Sequence, residues 1–165
     1  MTSAVFTKTM GRNKKASAWG EIDGGAAFVI PMTMLRHKNC TRLSAHANKL
    51  ILDLARQYSG FNNGYLCASW SLMKAAGWKS SHTLQKATLE AEHYRIIVRT
   101  QQGGLNRPNL HALTWRKIDE KPGKPLEMRP TLKPLDSWKH DGIDDFRMPA
   151  PKARRRRGAR LKAVA

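Results

Sequence analysis

The strongest limit on the fold of this chain is a periodic apolar pattern near its centre. Between Ala47 and Tyr58, alanine, leucine, isoleucine and tyrosine recur at steps of three and four residues, which is the spacing of a helix with one buried face. Ser44 precedes the pattern and can cap the helix, and Gly60 follows it and can end the helix. We therefore expect a helix over about residues 44–58.

Two further helical patterns follow at short intervals. Residues 65–68 form an apolar stretch long enough for one strand. Ser69 then precedes a short helical pattern over residues 70–76, and after Gly77 a longer one spans about residues 82–93. Two helices joined by a short turn that contains glycine are typical of a helix-turn-helix. The side chains that we expect to face inward are Leu72, Met73, Ala76, Leu84, Ala87, Thr88, Ala91 and Tyr94.

A β-hairpin pattern comes directly after the third helix. Residues 95–100 are rich in β-branched side chains, a loop with two glycines follows, and residues 110–115 form a second apolar run. The order helix, strand, helix, turn, helix, hairpin is that of a winged helix. We therefore predict an α+β, helix-rich fold, a single winged helix-turn-helix domain of three helices with a β-hairpin wing.

Composition separates this domain from the other parts of the chain. The first residues are polar and rich in glycine, and prolines alternate with charged residues after the hairpin. The proline-rich part either wraps the domain or hangs free, with Trp138 and Phe146 as its large aromatic anchors. The expected organisation is a flexible arm (residues 1–24), the winged-helix domain (25–118), the proline-rich segment (119–146) and a disordered arginine-rich tail (147–165).

The net charge indicates the class of partner. The chain has 30 lysines and arginines against 12 aspartates and glutamates, a net charge of +18. Residues 24–118 alone carry thirteen basic and three acidic side chains, a net charge of +10, so the excess is not confined to the tail. Such an excess repels itself in a compact state and usually binds a polyanion. Nucleic acid is the first candidate, an anionic membrane surface the second and an acidic protein the third.

Cysteine content and hydropathy limit the compartment. Cys40 and Cys67 are the only cysteines, so we expect free thiols in a reducing compartment rather than a disulfide framework. The longest apolar run is too short for a membrane span, and the N-terminus lacks the apolar core of a signal peptide. We expect a protein of the bacterial cytoplasm with no membrane contact, unless the basic tail makes one.

The residues that metal binding and catalysis require do not come together in the sequence. His37 and Cys40 lie three apart, but no second pair completes a zinc site. Gly123-Lys124 lacks the spacing of a phosphate-binding loop. The late aspartates have no scaffold that could hold two metal ions, and Cys67 has no base beside it. We therefore expect no enzyme, no catalytic residue, no metal site and no cofactor.

Several short segments carry a further signal. They are Phe28-Val29-Ile30-Pro31, Leu43-Ser44-Ala45, the run from Lys49 to Tyr58, Asn62-Asn63-Gly64, Cys67-Ala68-Ser69-Trp70, Gly77-Trp78-Lys79-Ser80, Gln102-Gly103-Gly104, Ala112-Leu113-Thr114-Trp115, Ile118-Asp119-Glu120 and Arg129-Pro130-Thr131. With these segments the chain resembles the winged-helix proteins of prophages, plasmids and other mobile elements, which are similar in layout to the DNA-binding domains of phage and plasmid replication initiators. The resemblance covers roughly residues 28–138 and implies the fold and DNA binding.

The resemblance fails at one place, the end of the third helix. Similar proteins have a leucine-rich segment and a glycine before the first strand of the wing, whereas this chain has Glu-Ala-Glu-His-Tyr-Arg at residues 90–95. The shape of the helix end and the register of its exposed face therefore stay open.

The third helix is the predicted reading element. In a helix-turn-helix the N-terminal part of the second helix of the pair enters the major groove. Gln85 can pair with adenine and Lys86 with guanine, and both lie opposite the apolar face. The alternative is that the polar side chains only solvate an exposed helix. The predicted contacts of this helix and of the turn before it are Lys79, Ser80, Ser81, His82, Thr83, Gln85 and Lys86.

The wing and the tail supply the other predicted contacts. The wing can reach the adjacent minor groove or the backbone, or it is an ordinary polar hairpin tip. Its candidates are Arg99, Gln101, Gln102, Asn106 and Arg107. The arginine run of the tail adds affinity without sequence preference, and it suits an RNA-binding arm or a tether to an acidic protein equally well. Its members are Arg154, Arg155, Arg156 and Arg157.

Three functions follow, in order of preference. The first is a double-stranded DNA-binding protein of a mobile element, either a transcriptional regulator or a replication accessory. The second is a winged-helix protein that docks on a host or phage nucleoprotein complex, such as a polymerase or a defence complex. The third, an RNA or single-strand binder, needs exposed aromatic residues, whereas we expect Trp70, Trp78 and Trp115 in the core. A homodimer stays open, because no heptad pattern or extra dimerisation helix is visible.

Overall fold

The computed structural model describes residues 27–105 and 107–150. The chain forms two compact units, Met1–Ile30 and Pro31–Ala165. The described part of the first unit has no regular secondary structure. The predicted arm and most of the predicted tail lie outside the described residues. All the elements below belong to the second unit.

Helices and a small sheet make up the described part of the second unit, which is an α+β arrangement of five α-helices and three antiparallel strands. A turn of 3-10 helix, Ser137–Lys139, comes last. None of the described helices is long and apolar enough to cross a membrane. The elements are α1 (Met32–Leu35), α2 (Lys38–Thr41), α3 (Ala45–Ala55), β1 (Leu66–Cys67), α4 (Trp70–Ala75), α5 (Ser81–His93), β2 (Ile97–Gln101) and β3 (Leu110–Leu113).

Serine caps set where the two long helices begin. The Ser44 hydroxyl accepts a hydrogen bond from the backbone N–H of Ala47 at 3.2 Å, as the sequence predicted, although α3 already ends at Ala55. The Ser80 hydroxyl accepts from the N–H of Thr83 at 3.3 Å, so α5 begins one residue earlier than predicted. Each cap satisfies a backbone donor that the first turn of a helix leaves without a partner.

The core lies where α3, α5 and the sheet meet. Its completely buried side chains include Leu50, Leu54, Leu66, Ile96 and Leu113. Of the residues predicted to face inward from the third helix, Leu84, Ala87, Ala91 and Tyr94 are buried, whereas Thr88 is half-buried. For α4, the prediction that Leu72 and Ala76 face inward was wrong, because Leu72 is 45% exposed and Ala76 is also exposed. This helix has six residues, under two turns, so Met73 alone fills its inward side.

The sheet is built around β3, which pairs antiparallel with β1 on one side and β2 on the other. The predicted hairpin is confirmed as β2 and β3, and the predicted short strand is confirmed as β1. The register shifts within β2, where Arg99 lies opposite His111 and Gln101 lies opposite Leu110. This irregularity is a β-bulge, and it changes the face of the sheet on which the following side chains lie.

The side chain of Asn63 joins the turn before β1 to the segment that follows β3 by hydrogen bonds. It is completely buried. Its amide nitrogen donates to the carbonyl oxygens of Leu113 at 3.0 Å and Lys117 at 2.8 Å, and its amide oxygen accepts from the N–H of Leu113 at 2.8 Å. The backbone N–H of Asn63 donates to the Asp119 carboxylate at 2.9 Å. One amide therefore satisfies several backbone groups that neither helix nor strand pairs.

The proline-rich segment packs along the domain, which decides between the two alternatives that the sequence left open. The backbone N–H of Met128 donates to the Thr100 carbonyl at 3.1 Å. Trp138 is buried, and its carbonyl accepts a hydrogen bond from the Asn39 side chain at 2.8 Å. The N–H of Phe146 donates to the hydroxyl of Tyr94 at 3.0 Å. The segment is therefore part of the folded unit up to this point.

Candidate nucleic-acid interface

A groove of about 710 Å³ lies between the helices α4 and α5 and the β2–β3 hairpin. Helix α5 contributes the exposed side chains of Ser81 and Gln85, and the hairpin contributes Arg99, Gln102 and Arg107. Among the described residues that line the groove, none is acidic. The groove therefore presents hydroxyl, amide and guanidinium groups, which are the donors and acceptors that contact phosphates and base edges.

The predicted contacts of α5 are divided between three sides of the helix. Ser81 and Gln85 face the groove. Lys79, Ser80 and Thr83 line a smaller cavity of about 210 Å³ at the start of the helix. Two other side chains, His82 and Lys86, are exposed, and Lys86 lines a third cavity with Arg42 and Glu90. The predicted pair of Gln85 and Lys86 is thus exposed, but only Gln85 lies in the groove.

A second group of basic side chains lies near the start of α5. His46 and Lys49, both on α3, line the same small cavity as Lys79. The Lys49 ammonium donates to the carbonyl oxygen of Ala76 at 3.0 Å and lies over the Trp78 ring, 5.3 Å from its centroid. Sequence reasoning missed His46 and Lys49, because nothing in the spacing along the chain shows that α3 reaches the turn before α5.

Asp53 joins α3 to the turn before α5. It is buried, and its carboxylate accepts from the indole N–H of Trp78 at 2.8 Å and from Lys49 at 2.7 Å, and pairs with Arg56. Burial acts to raise the pKa of Asp53, but the hydrogen bonds from Lys49 and Trp78 and the charges of Lys49 and Arg56 outweigh it, so the pKa lies below its ordinary value. The ionised carboxylate fixes the turn from which α5 begins.

Arg99 is held in an ion pair rather than free in solution. Its guanidinium donates to both carboxylate oxygens of Glu92, at 3.0 and 2.9 Å, and to the Gln102 amide oxygen at 2.7 Å. The buried His111 ring places Nε2 3.2 Å from the same carboxylate. Burial acts to raise the pKa of Glu92, but the contacts with His111 and Arg99 outweigh it and the pKa is lowered. The pair therefore holds Arg99 in one orientation at the base of the hairpin.

The structure corrects two expectations about exposure. Gln101 is only 8% exposed, so we remove it from the predicted contacts; the bulge beside it turns its side chain inward directly after the buried Thr100. Trp70, expected in the core, is 37% exposed and lines the groove. Trp78 and Trp115 are buried, as predicted. Trp70 is displaced because it is the first residue of the short α4, which buries only Met73.

Two groups of predicted contacts are not tested by the structure. Asn106 lies outside the described residues, as do the four arginines of the tail. Of the other hairpin candidates, Gln102 and Arg107 are exposed.

Both cysteines that the structure describes are free thiols, and burial raises the pKa of Cys40. Within the described ranges, no three histidine, cysteine, aspartate or glutamate side chains come together as metal ligands would.

Comparison of the chain with models of protein families, with curated proteins and with solved structures finds no match in any of the three.

Proposed function

We propose that this unit is a winged helix-turn-helix that binds double-stranded DNA with a sequence preference. In this proposal α4 and α5 are the helix-turn-helix and the β2–β3 hairpin is the wing. The groove between α5 and the hairpin carries the proposal, because it is lined by arginine, glutamine and serine and by no acidic side chain among the described residues. The net charge of +18 supports a polyanionic partner.

Each element has a role in this binding mode. An α-helix with its side chains is about 10–12 Å across and the major groove is about 12 Å wide, so α5 can enter it by its N-terminal half. Gln85 would read a base edge, since it is exposed on the groove side of α5. One sugar-phosphate strand would run between α5 and the hairpin, where Gln102 and Arg107 can donate to phosphate oxygens, while Arg99 stays paired with Glu92 in the groove wall.

The lysines at the start of α5 would contact the second sugar-phosphate strand of the duplex. Lys79 lines the small cavity there together with Lys49, which Asp53 holds in place. Backbone N–H groups of the first helical turn lie beside them and favour a phosphate. These contacts would fix the register of the helix without reading sequence. We propose that such a protein acts for a mobile element, as a transcriptional regulator or a replication accessory; the resemblance in sequence layout supports this part.

Selection from a random duplex library tests the proposal. We expect the wild type to enrich one sequence and to bind it at least about 1000-fold more tightly than random duplex DNA. Gln85→Ala should lose about 1–3 kcal/mol of discrimination at one base position. Lys133→Ala is the control, since Lys133 is exposed and outside the groove. Equal binding of the wild type to all duplexes would contradict the proposal that the protein reads bases.

The exposure of Trp70 favours a second candidate, single-stranded nucleic acid. An exposed indole at the wall of a groove lined by arginines is the arrangement on which unpaired bases stack. Competition between a duplex and its separate strands decides between the two candidates. Tighter binding to single strands, abolished in Trp70→Ala and kept in Trp70→Phe, would replace the duplex proposal with this one.

A further inference from the structure

The tip of the β2–β3 hairpin presents one leucine to solvent. Gly104 and Arg107 exchange two backbone hydrogen bonds, at 2.9 and 3.2 Å, so the chain reverses between them. Leu105 lies in this turn and is 93% exposed. Gly104 and Arg107 line the groove beside α5, but Leu105 does not. The leucine therefore projects past the wall of the groove, beyond the residues that would face a DNA strand.

We propose that Leu105 is an apolar wedge that enters the minor groove of the bound duplex and partly unstacks one base step. This inference rests on the proposed duplex binding. Side chains of this kind, when a protein inserts them between base pairs, bend the duplex toward the major groove. The described residues of the free protein leave Leu105 open to water, so the apolar surface of this side chain leaves water only when the protein is bound.

The surroundings of Leu105 suit entry into a narrow groove. At Gly103 a Cβ would come within 2.8 Å of the Arg107 carbonyl oxygen and the Asn109 nitrogen, so the two sides of the hairpin approach more closely there than larger residues allow. Because residues 103 and 104 are both glycine, no side chain directly before Leu105 blocks its entry into a minor groove about 6 Å wide. The exposed Arg107 can hold a phosphate at the groove edge. Leu105 thus follows Gly104 in the turn and lies two residues before the cationic Arg107.

DNA bending tests the wedge on the full chain. The selected duplex carries donor and acceptor dyes at its ends, and in a second probe 2-aminopurine replaces one adenine at a time across the site. We expect the wild type to shorten the end-to-end distance and to raise 2-aminopurine fluorescence at one step. Leu105→Ala should abolish both signals and weaken binding by about fivefold to tenfold. Its dependence on salt should stay unchanged, because the variant keeps every cation that faces a phosphate.

Two further variants separate insertion from a general effect of removing a leucine. Leu132 is 99% exposed in the proline-rich segment, so Leu132→Ala removes equal apolar surface away from the hairpin and should bend DNA like the wild type. Leu105→Met should keep the bend, because methionine also serves as a wedge. Circular dichroism confirms that each variant is folded.

The outcomes also distinguish this inference from the proposed function. If the wild type binds its selected duplex without bending it, or Leu105→Ala bends it as the wild type does, the wedge is wrong and the proposed DNA binding stands. If the wild type binds no duplex at all, both fail together.

Discussion

Arg95 occupies a backbone conformation that glycine usually provides. Its φ is +57°, and its N–H and that of Ile96 donate to the carbonyls of Glu92 and Ala91, both at 3.0 Å. This is a Schellman ending of α5. Gly77, with φ of +87°, ends α4 in the same way. Arg95 therefore ends α5 with the same backbone shape that Gly77 gives the end of α4.

The conformation at Arg95 predicts that glycine stabilises the protein there. Arg95→Gly should raise the free energy of unfolding by about 1 kcal/mol relative to Arg95→Ala, because only glycine adopts positive φ without strain. The comparison with alanine removes the effect of the missing charge. Gly77→Ala should lower stability by a similar amount, since an added Cβ meets no atom within 4 Å and only the backbone strain remains. Urea unfolding followed by circular dichroism measures all three, and equal stabilities of the two Arg95 variants would contradict the argument.

At the scale of elements, α5 is fixed to α3 at two places. The N–H and hydroxyl of Ser44 donate to the two carboxylate oxygens of Glu90, at 2.6 and 2.7 Å. At the other end, the indole of Trp78 donates to Asp53. Both carboxylates are buried, and hydrogen bonds to buried charged groups are worth more than those between neutral groups. The position of the proposed reading helix therefore depends on side chains that would not touch DNA.

Trp78→Phe tests this dependence. It removes the N–H donor and keeps an aromatic ring, so we expect a loss of about 1–3 kcal/mol in stability. We also expect a smaller affinity ratio between the selected and random duplexes, because the start of α5 is less firmly held. Trp138→Phe is the matched control, since its indole donates to Asp136 at 3.2 Å in the 3-10 turn. Both variants should lose stability; an unchanged affinity ratio in Trp78→Phe would show that Asp53 does not position the helix.

The elements themselves follow from local sequence, whereas their contacts do not. The period of the apolar residues predicted α3 and α5, and Ser44 marked the start of α3, because capping and amphipathicity act within a few residues. The four-residue α2 escaped prediction, since it has no period to detect. The pairing of Glu92 with Arg99 forms only when the hairpin folds back on α5. The burial of Gln101 depends on a bulge, which strict strand alternation does not foresee.

At the scale of the whole molecule, stability should depend on pH through two carboxylates that are paired with basic side chains. Both Asp53 and Glu92 have a pKa lowered in the folded state. Such groups stabilise the fold fully above their unfolded pKa, about 4, and this contribution is lost as the pH falls through the folded pKa. The free energy of unfolding should therefore decrease below about pH 5. In Asp53→Asn the decrease should be shallower, and Asp144→Asn, at an exposed site, controls for net charge. Parallel curves for Asp53→Asn and the wild type would contradict the assignment.

The distribution of charge along the molecule predicts two separable components of DNA binding. Residues 24–118 carry a net charge of +10, and residues 147–165 add eight basic side chains and no acidic one. Deleting residues 147–165 should weaken binding to every duplex alike and reduce the salt slope by roughly 0.9 for each phosphate that the tail no longer neutralises. The affinity ratio between selected and random duplexes should stay as it was, because the groove and α5 are intact.

Replacing Arg154, Arg155, Arg156 and Arg157 with lysine is the matched control for the deletion. Lysine keeps the positive charges but lacks the planar, bidentate donor geometry of arginine. If the tail acts through counterion release, the lysine variant should keep the affinity and the salt slope of the wild type. Replacing the same four arginines with alanine should instead weaken binding and lower the salt slope, as the deletion does. A tail whose removal changes the preferred sequence would instead be reading bases, and the separation of the two components would then be wrong.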